Sequence, residues 1–266
     1  MVPDEWSRPA VGPGWIAAGA VLIDRPSAPR ALPIVALDVA SAAEALGLAR
    51  QLGDSCRFYK VGSELFTSAG PAIVHELQDV LGADVFLDLK LHDIPNTVAG
   101  AVRSAAALGV RLLTLHASGG RAMLEAAQDA ARSSAARGSA CDLLAVTVLT
   151  SLDAASLGEV WGRTDVAVER EVVRLADDAA RAGLHGVVCS GAEASAVRAA
   201  HGDRLALLVP GIRLAGGSTH DQRRVMTPAA AQSAGARYLI LGRAVTAAAD
   251  PRRAMLAVLS ELAAGT

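Results

Sequence analysis

The chain has 266 residues, 52% of them hydrophobic, with a formal charge of −2 and only 3% aromatic residues. This is enough apolar material for a large core and excludes a disordered chain. The near-neutral charge and scarce aromatics also exclude a polyanion-binding surface or a base-stacking platform. No nucleic-acid partner is expected, and the ligand should be small.

In chain order, residues 1–30 stand apart. "MVPDEWSRPAVGPGW" is rich in Pro and Gly, and "DRPSAPR" adds further breaks before the first clear strand, so this part reads as an N-terminal extension. Its one apolar run, "WIAAGAVLI" (15–23), is shorter than the ~20 residues needed to span a bilayer. Two acids precede the only arginine of "MVPDEWSRP", which does not suit a secretory leader. The expectation is a cytoplasmic protein with no membrane partner.

From residue 31 to 266, strand-like and helix-like stretches alternate as a single domain. Strands are predicted at "PIVALD" (33–38), "RFYKVG" (57–62), "DVFLDLK" (84–90), "RLLTLHA" (111–117), "DLLAVTVLT" (142–150), "GVVCS" (186–190), "LALLVPG" (205–211) and "RYLILG" (237–242). Between them, segments such as "SAAEALGLARQL" and "VEREVVRLADDAARAG" place apolar residues at helical spacing, and several end at glycine. Eight such units predict a TIM (β/α)8 barrel of the α/β class. The competitor, an open doubly wound sheet, would carry a Gly-rich phosphate loop after its first strand, and "ALDVASAAE" has none.

In a barrel, chemistry gathers at the C-terminal ends of the strands. Those ends are Asp38, Lys60, Asp88 with Lys90, His116, Thr150, Ser190, Gly211 with Arg213, and Gly242 with Arg243. Strand alternation turns Asp88 and Lys90 to one face. Of 25 basic residues only Lys60 and Lys90 are lysine. Arginine is a permanently charged planar fork, whereas lysine is a compact ammonium that can release a proton. Retaining lysine at two strand ends facing one bowl therefore points to a catalytic ammonium pair set among carboxylates. The bland alternative is a buried salt-bridge lattice, which is costly to desolvate.

A second cluster follows strands 7 and 8, where "PGIRLAGGSTHDQRR" (210–224) and "LGRAV" (241–245) supply glycines and arginines at the usual phosphate site of this fold. The six histidines form no metal-ligand pattern, and His75, His185 and His201 read as surface or loop positions. His92 is expected to face away from Lys90. Cys56, Cys141 and Cys189 lie in apolar runs without paired spacing and read as buried thiols. No metal and no cofactor are inferred.

"DLKLHDIPNTV" resembles the D-x-K-x-x-D-x-x-x-T signature of the orotidine 5'-phosphate decarboxylase family. "KVGSELF", "VTVLTS", "PGIR", "DQRRVMTP" and "LGRAVT" agree with that family in order and position, so the resemblance covers about residues 33–262. It implies metal-free and cofactor-free conversion of orotidine 5'-phosphate to UMP and CO2, the last step of de novo pyrimidine synthesis, by a homodimeric barrel. By position Lys90 would donate the proton, with Asp88, Lys60 and Asp93 completing a charged network. Asp93 and Thr97 would reach into the partner's site. Asp38 with Lys60 would hold the ribose, Thr150 the base, and Arg213, Gln222, Gly242 and Arg243 the phosphate. A departure from the family's usual pattern is His220, where relatives often carry glycine before the Asp-Gln pair. Two rivals bear on this assignment. A magnesium-dependent sugar-phosphate enzyme of the same barrel lineage should carry an acid where Lys60 stands, and a non-catalytic phosphate sensor would not need the lysine–aspartate network.

Overall fold

The computed structural model describes residues 31–214 and 226–264. The predicted extension, His220 and Gln222 lie outside the described residues. Eight parallel strands close into a barrel in strictly sequential order: β1 Leu32–Leu37, β2 Phe58–Gly62, β3 Asp84–Leu91, β4 Leu112–His116, β5 Asp142–Val146, β6 Gly186–Val188, β7 Ala206–Val209 and β8 Ala236–Leu241. The ring is sealed by β1 pairing with β8, for example Ile34 with Ile240.

The helices between strands are α1 Ala42–Leu52, α2 Ser63–Ala69, α3 Ala72–Leu81, α4 Pro95–Ala107, α5 Arg121–Ala135, α6 Ala154–Trp161, α7 Val168–Ala182, α8 Gly191–His201, α9 Pro228–Ser233, α10 Arg243–Thr246 and α11 Pro251–Ala264. Their limits follow local chemistry. Ser41 caps α1 by accepting the Glu44 N–H, Thr227 caps α9 ahead of Pro228, and Asp153 forms a capping box with Ser156 at α6. Helix α7 stops at Gly183, whose left-handed backbone (φ 75°) returns its N–H to the Ala179 carbonyl.

Strand alternation sorts the apolar residues into two cores. The outward strand residues and the inner helix faces form the larger, between barrel and helices. Ile34, Ala36, Phe58, Phe86, Leu112, Leu144, Leu208, Tyr238 and Ile240 fill the barrel interior. That interior plug matters for chemistry because four of its residues, Ala36, Phe86, Leu208 and Ile240, also line a cavity at the C-terminal mouth.

Three sequence expectations change. β5 ends at Val146, and residues 147–150 leave the barrel as a turn. Thr147 holds this exit by donating its hydroxyl to the Val188 carbonyl at 2.7 Å. Thr150 is consequently a loop residue. His201 is buried (4% exposed), with Nε2 3.3 Å from Asp177 Oδ1 but out of line for a hydrogen bond. His185 is half-buried at the opposite mouth, 3.0 Å from the Tyr238 hydroxyl, and its burial lowers its pKa. An apolar pattern around a histidine is the only local sign of such burial: His201 closes the buried stripe of α8 after Ala194 and Val197, whereas His185 sits between α7 and β6, outside any periodic run. The three cysteines are buried free thiols, and burial raises Cys141 and Cys189 to about 12.

Candidate active site

A cavity of about 490 Å³ opens at the C-terminal mouth of the barrel. Its polar lining comes from the ends of several strands: Asp38, Lys60, Asp88, Lys90, Thr150, Arg213 and Arg243, over an apolar floor that includes Phe86, Leu208 and Ile240.

The charged side is built by register. Parallel pairing sets Ala36 opposite Lys60, and Gly62 opposite Asp88, so the inward positions of β1, β2 and β3 converge one layer above the plug. Lys60 Nζ donates to Asp38 Oδ1 at 2.7 Å and lies 3.7 Å from Asp88 Oδ2. Lys90 Nζ donates to the same Asp88 oxygen at 2.7 Å. Lys60 is 8% exposed, and the Asp88 side chain only 12%. Two ammonium groups thus bracket one carboxylate oxygen in a largely water-excluded place, where charge interactions are much stronger than in bulk water. The Asp38 side chain (61% exposed) closes the row on the solvent side.

Asp88 and Lys90 do line the same cavity, but simple alternation is not the cause. The β3–β4 ladder runs Leu87 to Leu113 and then jumps to Leu91 with Leu115, so residues 88–90 form a bulge. Lys90 is the only non-glycine residue with positive φ (50°) among the described residues. Thr114, fully buried on β4, fills the gap. Its hydroxyl donates to Asp88 Oδ1 at 2.8 Å and accepts the Lys90 backbone N–H at 2.9 Å. Sequence reasoning missed Thr114. The available signal was a lone hydroxyl in the apolar strand "LLTLH", facing the same way as His116 and Leu112.

His116 does not line the cavity. It is half-buried, its ring 5.3 Å from that of His92, and burial lowers its pKa, with His92 and Lys90 acting in the same direction. Ser190, another strand-end candidate, caps α8 by accepting the Ala192 N–H and also bonds Glu193. Asp93 and Thr97 are exposed and outside the cavity; Asp93 Oδ1 accepts the Ile94 N–H at 2.6 Å.

On the other side, Arg213 is 8% exposed and held at the base of the segment that follows β7. Its backbone N–H donates to the Met226 carbonyl at 2.9 Å, and its Nη1 to the Ile212 carbonyl at 2.8 Å. Gly211, Gly242, Arg243 and Thr246 complete this wall. Arginine forks beside glycine backbone that lines the cavity suit an oxyanion such as phosphate. Among the described residues, no group of three or more His, Cys, Asp or Glu is placed to hold a metal ion. No described helix is long and apolar enough to cross a membrane.

Gly62 is part of the same construction. A β-carbon there would stand 3.1 Å from Lys60 Nζ and 3.2 Å from Asp38 Oδ1, although the backbone (φ −89°) would accept any residue. Gly62→Ala should therefore leave the melting temperature within about 2 °C while making the Lys60 ammonium and the Asp38 carboxylate give by a few tenths of an ångström, lowering kcat/KM about tenfold. Thermal melts and steady-state kinetics on the same preparation check both halves.

Over most of its length the chain is similar to known proteins of one kind. Orotidine 5'-phosphate decarboxylase of Halorhodospira halophila is 52% identical over 231 residues, covering 87% of this chain and 95% of that one. The enzyme of Moorella thermoacetica is 49% identical over 235 residues, covering 86% and 91%. Among solved structures, orotidine 5'-phosphate decarboxylase from Lactobacillus acidophilus superposes with a TM-score of 0.77 at 35% identity, covering 88% of this chain and 99% of that one. With residues 32–258 also matching the family as a whole, the chain belongs to the orotidine 5'-phosphate decarboxylase / HUMPS family.

Proposed function

We propose that this protein removes the carboxylate of orotidine 5'-phosphate to give UMP and CO2, the closing step of de novo pyrimidine synthesis, as a cytoplasmic enzyme needing neither metal nor cofactor. The observation that carries this reading is the pair of ammonium groups bracketing Asp88 Oδ2 in a cavity also lined by Arg213 and Arg243.

The chemistry has one hard requirement. When the bond between C6 and the carboxylate breaks, CO2 leaves and its electron pair stays on a ring carbon that cannot delocalise it. Placed positive charge must stabilise that pair. Lys90 meets the need twice. Its ammonium attracts the developing carbanion and then transfers a proton from Nζ to C6. The neutral amine left behind is reprotonated from water before the next turnover. Asp88 orients Lys90, and its own charge disfavours the bound carboxylate relative to departing CO2. Lys60 limits the cost of that buried anion and, with Asp38, meets the ribose. Thr150 contacts the base. Arg213, Gln222, Gly242 and Arg243 hold the phosphate, so binding energy from a remote group supports the demanding step.

The protein works as a homodimer in this reading, with Asp93 and Thr97 completing the partner's site. Supporting this is the exposed run 92–97 directly after Lys90, in which Ile94 presents an apolar side chain 67% exposed. Asp93 then adds a further carboxylate to the network.

Purified protein mixed with orotidine 5'-phosphate should convert it to UMP, followed by the ultraviolet change of the pyrimidine, at the same rate with excess chelator as without. Lys60 and Lys90 already occupy the carboxylates a divalent ion would need. Loss of activity on chelation would instead favour a metal-dependent sugar-phosphate chemistry.

A further inference from the structure

We infer that Thr114 is a positioning residue for the decarboxylation, holding Lys90 and Asp88 in their reactive arrangement from beneath the cavity; this rests on the function proposed above. Thr114 does not line the cavity and touches no solvent. Its hydrogen bonds nonetheless close a ring that begins and ends on Lys90. The Lys90 N–H donates to Thr114 Oγ1 at 2.9 Å, and that hydroxyl donates to Asp88 Oδ1 at 2.8 Å. Asp88 Oδ2 then accepts from Lys90 Nζ at 2.7 Å.

The direction of every bond in the ring is fixed by chemistry. A backbone N–H can only donate and a carboxylate can only accept, so the single hydroxyl hydrogen must point to Asp88 while an oxygen lone pair receives Lys90. A side chain without a hydroxyl breaks the ring in two places and leaves a buried N–H and a buried carboxylate oxygen each without that partner.

The backbone explains why the ring is needed. Lys90 adopts a left-handed conformation (φ 50°) within the β3 bulge, where the ladder to β4 is interrupted. For a residue other than glycine this state is costly and persists only when neighbouring structure imposes it. The Thr114 hydroxyl takes the place of the missing ladder acceptor and so imposes it. At the same time it fixes the carboxylate rotamer that turns Oδ2 toward both lysines. One buried hydroxyl thereby sets the aim of the proton donor and the orientation of its counter-ion.

The test is Thr114→Val, which keeps shape and removes the hydroxyl, beside Thr114→Ser, which keeps the hydroxyl. Misplacement of a reacting group by about 1 Å can cost about 10²-fold in rate. The valine variant should accordingly lose about 10²-fold in kcat with KM within about threefold of the original. The serine variant should recover to within about threefold. A merely structural role would lower the melting temperature without this split between kcat and KM. If the valine variant fails to fold, Thr114→Ala takes its place, since a smaller side chain cannot clash. A valine or alanine variant with unaltered kcat overturns the inference while leaving the proposed function intact. If the original protein does not turn over orotidine 5'-phosphate, the proposed function fails instead. The catalytic half of the inference falls with it, and the structural half, that Thr114 holds Lys90 and Asp88 in place, is decided by a crystal structure of the hydroxyl-free variant: retention of the Lys90 φ and of the Lys90–Asp88 hydrogen bond overturns it, and their loss supports it.

Discussion

Lys90→Ala is expected to lower kcat on orotidine 5'-phosphate by at least about 10⁴-fold while UMP still binds within about tenfold of the original affinity. The size follows from two losses at one atom. General acid catalysis contributes about 10²–10⁴-fold, and a preorganised charge at the developing anion about 10²–10³-fold more. UMP lacks the carboxylate and keeps the phosphate and ribose contacts, so its affinity reports a cavity that remains intact. Lys90 is well placed to be removed without collapse, because its side chain is 37% exposed and Asp88 retains Thr114 and Lys60 as partners. Lys90→Arg should not restore activity: the guanidinium is planar and holds its protons too tightly to deliver one to carbon at neutral pH. Steady-state kinetics beside calorimetric titration of UMP separates the effects. Residual activity above about 1% in the alanine variant would remove Lys90 from the donor role.

The second large effect concerns the arginine wall. Arg213→Ala combined with Arg243→Ala is expected to lower kcat/KM on orotidine 5'-phosphate by about 10³-fold. A hydrogen bond to a charged group contributes about 1.5–3 kcal/mol, and two such contacts are removed. Each 1.4 kcal/mol is tenfold. The informative control is orotidine without its phosphate, on which original and variant should agree within about threefold, because the lost contacts have no partner in that substrate. Equal losses on both substrates would mean that the arginines hold some other part of the ligand. The Arg213 side chain also supports its own segment by donating from Nη1 to the Ile212 carbonyl, so melting curves belong beside the kinetics.

Much of this molecule can be read directly from the order of its residues. Alternating apolar runs and helical stripes predict eight units, and all eight strands lie where those runs occur, because period-2 and period-3.6 burial are local properties of the chain. Lysine usage does the same for chemistry. With 23 arginines available, the two lysines mark the positions where a compact ammonium is wanted, and both line one cavity. Ser190 shows the limit of this approach. It ends a strand-like run, as an active residue would, yet its hydroxyl caps α8, because a strand end in this fold is also a helix start.

What the sequence by itself determined is therefore the barrel, the identity of its charged strand ends and the family resemblance. Only the tertiary structure decided how those ends meet. The bulge at 88–90, the left-handed Lys90 and the Thr114 hydroxyl depend on the register between β3 and β4, partners 24 and 26 residues apart in sequence. Gly62 reads as a helix-start glycine until a lysine and an aspartate are found packed against its missing side chain. Periodicity reports which face of an element is buried, but not what stands opposite it. Hydrogen-bond direction and close approach belong to pairs of residues, and pairs separated along the chain meet only when the barrel closes.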